Sequence, residues 1–190
     1  MTLERIKRIA SESIETKRAF FESHSDRVIE AAYLIVGSIK AGGKLLVLGN
    51  GGSAADAQHI AAELVNRLTG DRPPIAAIAL TTDTSILTSI GNDSSFDEVF
   101  ERQVRALGRA GDVVLAISTS GNSPNVVRAV SAARELNLRT IGMTGRSGGK
   151  LASMVDVALI VDAESTQRIQ ETHITIGHIL CELIEESLFP

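Results

Sequence analysis

A lone cysteine, Cys181, has no partner for an internal disulfide, which fits a reducing compartment. Tryptophan is absent, tyrosine occurs once, and aromatic side chains make up 3 % of the chain. Few rings are therefore available to stack on a nucleotide base. No apolar run approaches the roughly 20 residues that a bilayer-spanning helix needs. The opening stretch, "MTLERIKRIASESIETKRAFF", is charged throughout and lacks the apolar core of a signal peptide. The formal net charge is −4 and no basic block interrupts it, which argues against a nucleic-acid-binding surface. No linker, low-complexity tract or convincing repeat divides the 190 residues. These absences predict a single domain over residues 1–190, soluble and cytoplasmic, with neither nucleic acid nor membrane as a partner.

What the chain does have is a recurring short apolar run. "KLLVLGN", "IAAIALT", "DVVLAIS", "RTIGMTG" and "VDVALIV" are each bounded by Gly, Pro, Asp or Ser. Continuously apolar strands belong to a parallel sheet covered on both faces. Helical spacing lies between them, over Ala54 to Leu68, Phe96 to Leu107 and Pro124 to Glu135, and a long helix follows from Thr166 to Leu188. This alternation predicts an α/β fold: a three-layer sandwich around a five-stranded parallel sheet. Two further helices precede the first strand. One covers Leu3 to Phe21; the other, capped by Asp26, runs from Arg27 to Lys40 and stops at "AGG". They cover a sheet face or make a subunit contact.

Two strand ends carry anion-binding chemistry. "GNGGS" follows the first strand and opens a helix, where free N–H groups and the helix dipole favour negative charge. The plainer alternative is that Gly49, Gly51 and Gly52 only turn the chain. Gly49, Gly51 and Ala54 also match a dinucleotide-binding pattern, but its acidic ribose contact is missing. Asp71 has the right distance and falls before the second strand, not at its end. At the second loop, "STSGNSP", Ser118, Thr119, Ser120 and Ser123 offer four hydroxyls. Ser123 is placed to cap the helix that begins at Pro124, and the other hydroxyls are free to cradle a phosphate without metal or lysine. The alternative is a Ser-rich turn whose side chains satisfy one another. Together the loops point to a small phosphorylated ligand, a sugar phosphate in preference to a nucleotide.

His59 and Glu63 stand four residues apart on the helix after the glycine loop and share a face. They can bind a metal together or position a proton-transfer group. The last helix carries Gln170, His173 and His178 among apolar residues. A single histidine in such a setting is most often a satisfied core residue. One acid and two histidines, with a glutamine oxygen, also compose a borderline-metal site. Spacing alone does not bring the two helices together.

"GNGGSAADAQH", "AEL", "GND", "ISTSGNS" and "RIQETHITIGHIL" resemble the phosphoheptose isomerases, a family with the sugar isomerase (SIS) fold, over nearly the whole chain. The resemblance implies a homotetramer with active sites shared between subunits. Helices within residues 1–41 are expected in its contacts. It implies conversion of sedoheptulose 7-phosphate to D-glycero-D-manno-heptose 7-phosphate through an enediolate, the first step of bacterial heptose biosynthesis toward lipopolysaccharide or related products. Phosphate contacts carry over to Ser53, Ser118, Thr119, Ser120 and Ser123. Sugar contacts carry over to Asn50, Gly51, Gly52, Asn92, Asp93 and Gln170. The catalytic pair becomes Glu63 and His178, with one zinc per site on His59, Glu63, Gln170 and His178 and no nucleotide cofactor. Gln167 stands where some relatives have Asp, so a contact from that position does not carry over.

The main alternative is a non-catalytic SIS-domain partner of the replication initiator DnaA, which "QVRALGRAGDVVLAIS" and the "LFP" ending also resemble. That relative lacks the acid–base residues, and this chain has both. A sugar-phosphate-sensing regulator would add a helix-turn-helix domain, for which the first ~40 residues are too few. A pentose-phosphate isomerase would often add a regulatory domain.

Overall fold

A computed structural model describes residues 2–68 and 70–190. Helix α1 (Leu3–Lys40) is followed by β1 (Leu45–Gly49), α2 (Gly52–Val65), β2 (Ala77–Ala79) and α3 (Thr84–Asp93). A 3₁₀ turn (Phe96–Glu98) leads into α4 (Val99–Leu107), then β3 (Val113–Ser118), α5 (Pro124–Glu135), β4 (Arg139–Gly145), α6 (Gly149–Ala152), β5 (Val157–Val161) and α7 (Thr166–Leu188). All five anticipated strands form. They make one parallel sheet in the order β2-β1-β3-β4-β5.

Strand residues alternate between two separate cores. Leu45, Val47, Leu115, Ile117, Met143 and Leu159 pack with α1, α2 and α7 on one face. Leu46, Leu48, Val114 and Ala116 pack with α4 and α5 on the other. Burial on both sides explains why these strands are mostly apolar, although β4 also buries Thr140 and Thr144. The expected three-layer sandwich is therefore present.

The N-terminal pair of helices is in fact one helix of 38 residues. Asp26 does not cap a break. Ser23 Oγ donates to Ala19 O at 2.7 Å and Ser25 Oγ to Phe21 O, so these serines bond back to the preceding turn and the helix continues. From Phe20 onward it is buried through Phe20, Val28, Ala31, Ala32, Ile35 and Val36, alongside α7. Its first half leaves Leu3, Ile6 and Ile14 exposed. Helix α3 was not anticipated, and the helix expected over Phe96 to Leu107 begins as the 3₁₀ turn.

The sheet order reverses at β1. From there the chain steps outward to β2 and later inward to β3. Such a reversal opens a crevice at the carboxyl ends of the two strands concerned. Both loops singled out in the sequence lie there.

Candidate active site

Beyond β1 the backbone turns through Asn50 into Gly51, whose φ of 56° lies in the left-handed region that glycine enters without steric cost. Gly52 opens α2 directly beneath the side-chain amide of Gln170 on α7, and a Cβ at this position would collide with it. Ser53 is buried one residue further on. Across the crevice Asn50 and Asn125 exchange two side-chain hydrogen bonds, each 2.9 Å long. These bonds fasten the loop after β1 to the start of α5.

In the loop after β3, Ser118 Oγ and Ser123 Oγ lie 3.0 Å apart. Ser120 Oγ accepts from Asn122 N at 3.2 Å. Ser123 occupies the N-cap position of α5, with Pro124 at its first turn, yet its side chain makes no capping bond. The capping role expected of Ser123 is thus not the one its hydroxyl plays: the hydroxyl turns to Ser118, at the mouth of the crevice. Thr119 and Ser120 are half-buried beside it.

Two turns along α2, His59 and Glu63 face His178 of α7. His59 Nε2 is 3.0 Å from Glu63 Oε1 and 3.4 Å from His178 Nε2. The two imidazoles stand edge to face, 81° apart. The helices come close here because α7 has glycine at 177, where a Cβ would lie 2.8 Å from Ile60 Cδ1. One ligand atom from each of His59, Glu63 and His178 falls within 4.8 Å of the others. Two imidazoles and one carboxylate form a donor set that zinc accepts while keeping a position open. The residues present fit such an ion, and the half-exposed His59 leaves it accessible.

The remaining expected residues divide. Gln170 lies on Gly52, eight residues and about 12 Å of helix before His178. It sits at the crevice end of this chain. Asn92 and Asp93 end α3, which packs through Leu87 and Ile90 on the opposite face of the sheet. There Asn92 Nδ2 donates to Asp93 Oδ1 at 2.7 Å. Gln167 accepts from Ser165 Oγ at 2.9 Å near the start of α7.

Three features escaped the sequence reading. Asn125 mirrors Asn50. Asp56, one turn before His59, has a buried Oδ2 without a hydrogen-bond partner among the described residues. Loss of solvent pushes its carboxyl up to about 6, against the opposing pull of His59. Arg72 and Glu185 form a buried ion pair at the far end of α2. Nothing in residue type or spacing marks these, because each depends on a contact between distant segments.

Comparison with known proteins gives a consistent result. The SIS domain family model matches residues 10–145. A phosphoheptose isomerase of Aquifex aeolicus is 55 % identical over 97 % of this chain and 96 % of its own. The structure of a phosphoheptose isomerase from Neisseria gonorrhoeae matches with a TM-score of 0.92 at 50 % identity, covering 96 % of this chain and 98 % of that one. One from Francisella tularensis matches with a TM-score of 0.94 at 39 % identity, over 98 % and 100 % of the respective chains. Fold, site composition and full-length likeness agree: this chain is an isomerase belonging to the phosphoheptose isomerases of the SIS-domain family.

Proposed function

We propose that the chain interconverts sedoheptulose 7-phosphate and D-glycero-D-manno-heptose 7-phosphate, the entry step of bacterial heptose biosynthesis, with Glu63 and His178 as the proton-transfer pair. The observation that carries this reading is the convergence of Glu63, His59 and His178 on two helices whose starts flank the hydroxyl-lined crevice. The phosphate is assigned to Ser53, Ser118, Thr119, Ser120 and Ser123 with the α5 N-terminus, and the sugar to Asn50, Gly51, Gly52 and Gln170. Remote phosphate binding orients the reacting carbons.

In the ketose-to-aldose direction, the Glu63 carboxylate takes a proton from C1. The C1–H electrons form the C1–C2 double bond, and the carbonyl electrons move to O2. O2 gains a proton and O1 loses one, an exchange that His178 mediates. Glu63 then returns its proton to C2. Zinc held by His59, Glu63 and His178 supplies Lewis-acid polarisation when bound. Gln170 of the same chain lies at Gly52, so its place in the metal set falls to a neighbouring copy in a homotetramer with shared sites, and Asn92 and Asp93 enter by the same route. The whole chain forms one SIS domain in this reading, its N-terminal helix lies in subunit contacts, and its setting is the cytoplasm. No helix among the described residues is long and apolar enough to cross a membrane.

The alternative of a non-catalytic partner of the initiator DnaA finds no support in these observations, because both proton-transfer residues are present and adjacent. The test is incubation of the purified chain with sedoheptulose 7-phosphate in deuterated water, with and without a chelator. Aldose product carrying deuterium at C2 is expected, with loss of activity on chelation and recovery with Zn²⁺. Glu63→Gln and His178→Gln should each lower kcat by ~10²–10⁴. Near-parental turnover by both variants refutes the assignment.

A further inference from the structure

Between α2 and β2 the chain passes through "NRLTGDRPP", and Arg72 turns inward from it. The Arg72 side chain is 3 % exposed and that of Glu185, on α7, 8 %. Arg72 Nε donates to Glu185 Oε2 at 2.7 Å. Its Nη1 donates to Leu64 O and its Nη2 to Glu63 O, both at 2.8 Å. Glu185 also accepts from Gly70 N at 2.9 Å. The final carbonyls of a helix lack intrahelical partners and carry the negative end of its dipole. Arg72 satisfies two of them on α2 and fastens them to α7.

This geometry exceeds what packing alone needs. A buried ion pair is seldom worth more to stability than apolar residues of equal volume. A planar guanidinium with four acceptors, Pro73 O at 3.1 Å among them, instead sets direction and distance. One of those acceptors is the carbonyl of Glu63 itself. The other helix is gripped seven residues beyond His178, two turns along the same face. Gly52 against Gln170, Ile60 against Gly177, and Arg72 with Glu185 form successive rungs between α2 and α7. His59 and His178 add a polar contact between the same helices, and the last rung is the charged one.

We propose that Arg72 is a positioning residue for the Glu63–His178 pair: by tying the end of α2 to Glu185 it holds α2 in register against α7. Its kinetic consequence rests on the isomerase reading; its effect on the spacing of His59, Glu63 and His178 does not. The full-length chain and its Arg72→Met, Arg72→Lys and Glu185→Gln variants are checked for folding by circular dichroism. They are then compared in kcat and KM on sedoheptulose 7-phosphate, and in Zn²⁺ affinity without substrate. Arg72→Met should lower kcat about tenfold or more with KM within about threefold, and weaken Zn²⁺ binding by ~10–100-fold. Arg72→Lys, which keeps the charge and loses the fork, should recover part of both. A residue that only stabilises the fold would lower the melting temperature and leave both values parental in the folded protein, and that result overturns the proposal. Should Arg72→Met not fold, parental values in both Arg72→Lys and Glu185→Gln overturn it equally. A parental chain that does not turn over sedoheptulose 7-phosphate defeats the isomerase reading, and the Zn²⁺ affinities then decide the role of Arg72 alone.

Discussion

His173 and His178 stand five residues apart on α7 and meet opposite surroundings. His178 reaches the cluster on α2, whereas His173 is buried with Nε2 3.0 Å from Thr144 O. A carbonyl only accepts, so Nε2 carries the proton. Burial pushes the His173 pKa down to about 4 from 6.5. The unfolded chain therefore binds a proton that the folded one refuses. Stability supplied by neutral His173 is present above pH 6.5 and declines by on the order of 3 kcal/mol as the pH falls toward 4. Asp56 has the opposite sign: its carboxyl, raised to about 6 from 3.8, favours the folded state at low pH and loses that contribution as the pH rises through 6. Urea unfolding of His173→Gln should show a shallower loss of stability between pH 6.5 and 4.5 than the parent. Asp56→Asn should stabilise most at pH 7.5 and little near pH 4. The sequence could not separate the two histidines, since both interrupt apolar stretches of one helix and only packing decides which nitrogen meets a carbonyl.

Among the elements, the start of α5 offers the sharpest test. An N-cap serine replaced by alanine costs about 1 kcal/mol, which for a chain of this length is a fall of roughly 2–4 °C in melting temperature. The Ser123 hydroxyl makes no capping bond and lies on Ser118. Ser123→Ala should therefore leave the melting temperature nearly unchanged while raising KM for the sugar phosphate about tenfold, the order of one lost hydrogen bond to a charged group. Calorimetry and steady-state kinetics read the two effects separately. This is also where the reach of the sequence is clearest. The strands are legible because a doubly covered sheet favours apolar residues, and the hydroxyl-rich loop because its residue types are chemical. Helix α1 runs on through the expected cap at Asp26, because Ser23 and Ser25 bond back to the preceding turn. Helix α3 is hard to read because most of its ten residues are Thr, Ser, Gly, Asn and Asp, poor helix formers. The meeting of α2 with α7 was illegible, since residue spacing along one helix does not fix its register against another.

In the whole molecule, α1 is disproportionate. Its 38 residues span about 57 Å, and the first half carries Leu3, Ile6 and Ile14 in the open. If this half makes the proposed subunit contacts, Ile6→Glu combined with Ile14→Glu should shift the particle mass by light scattering from tetramer to smaller species, with helix content retained. An unchanged mass would place the contacts elsewhere. The second half of α1 lies against β5 and α7, the last strand and last helix of the chain. Val28, Ala31, Ile35 and Val36 are therefore covered largely by segments distant in sequence, contacts whose loop-closure entropy makes them slow to form.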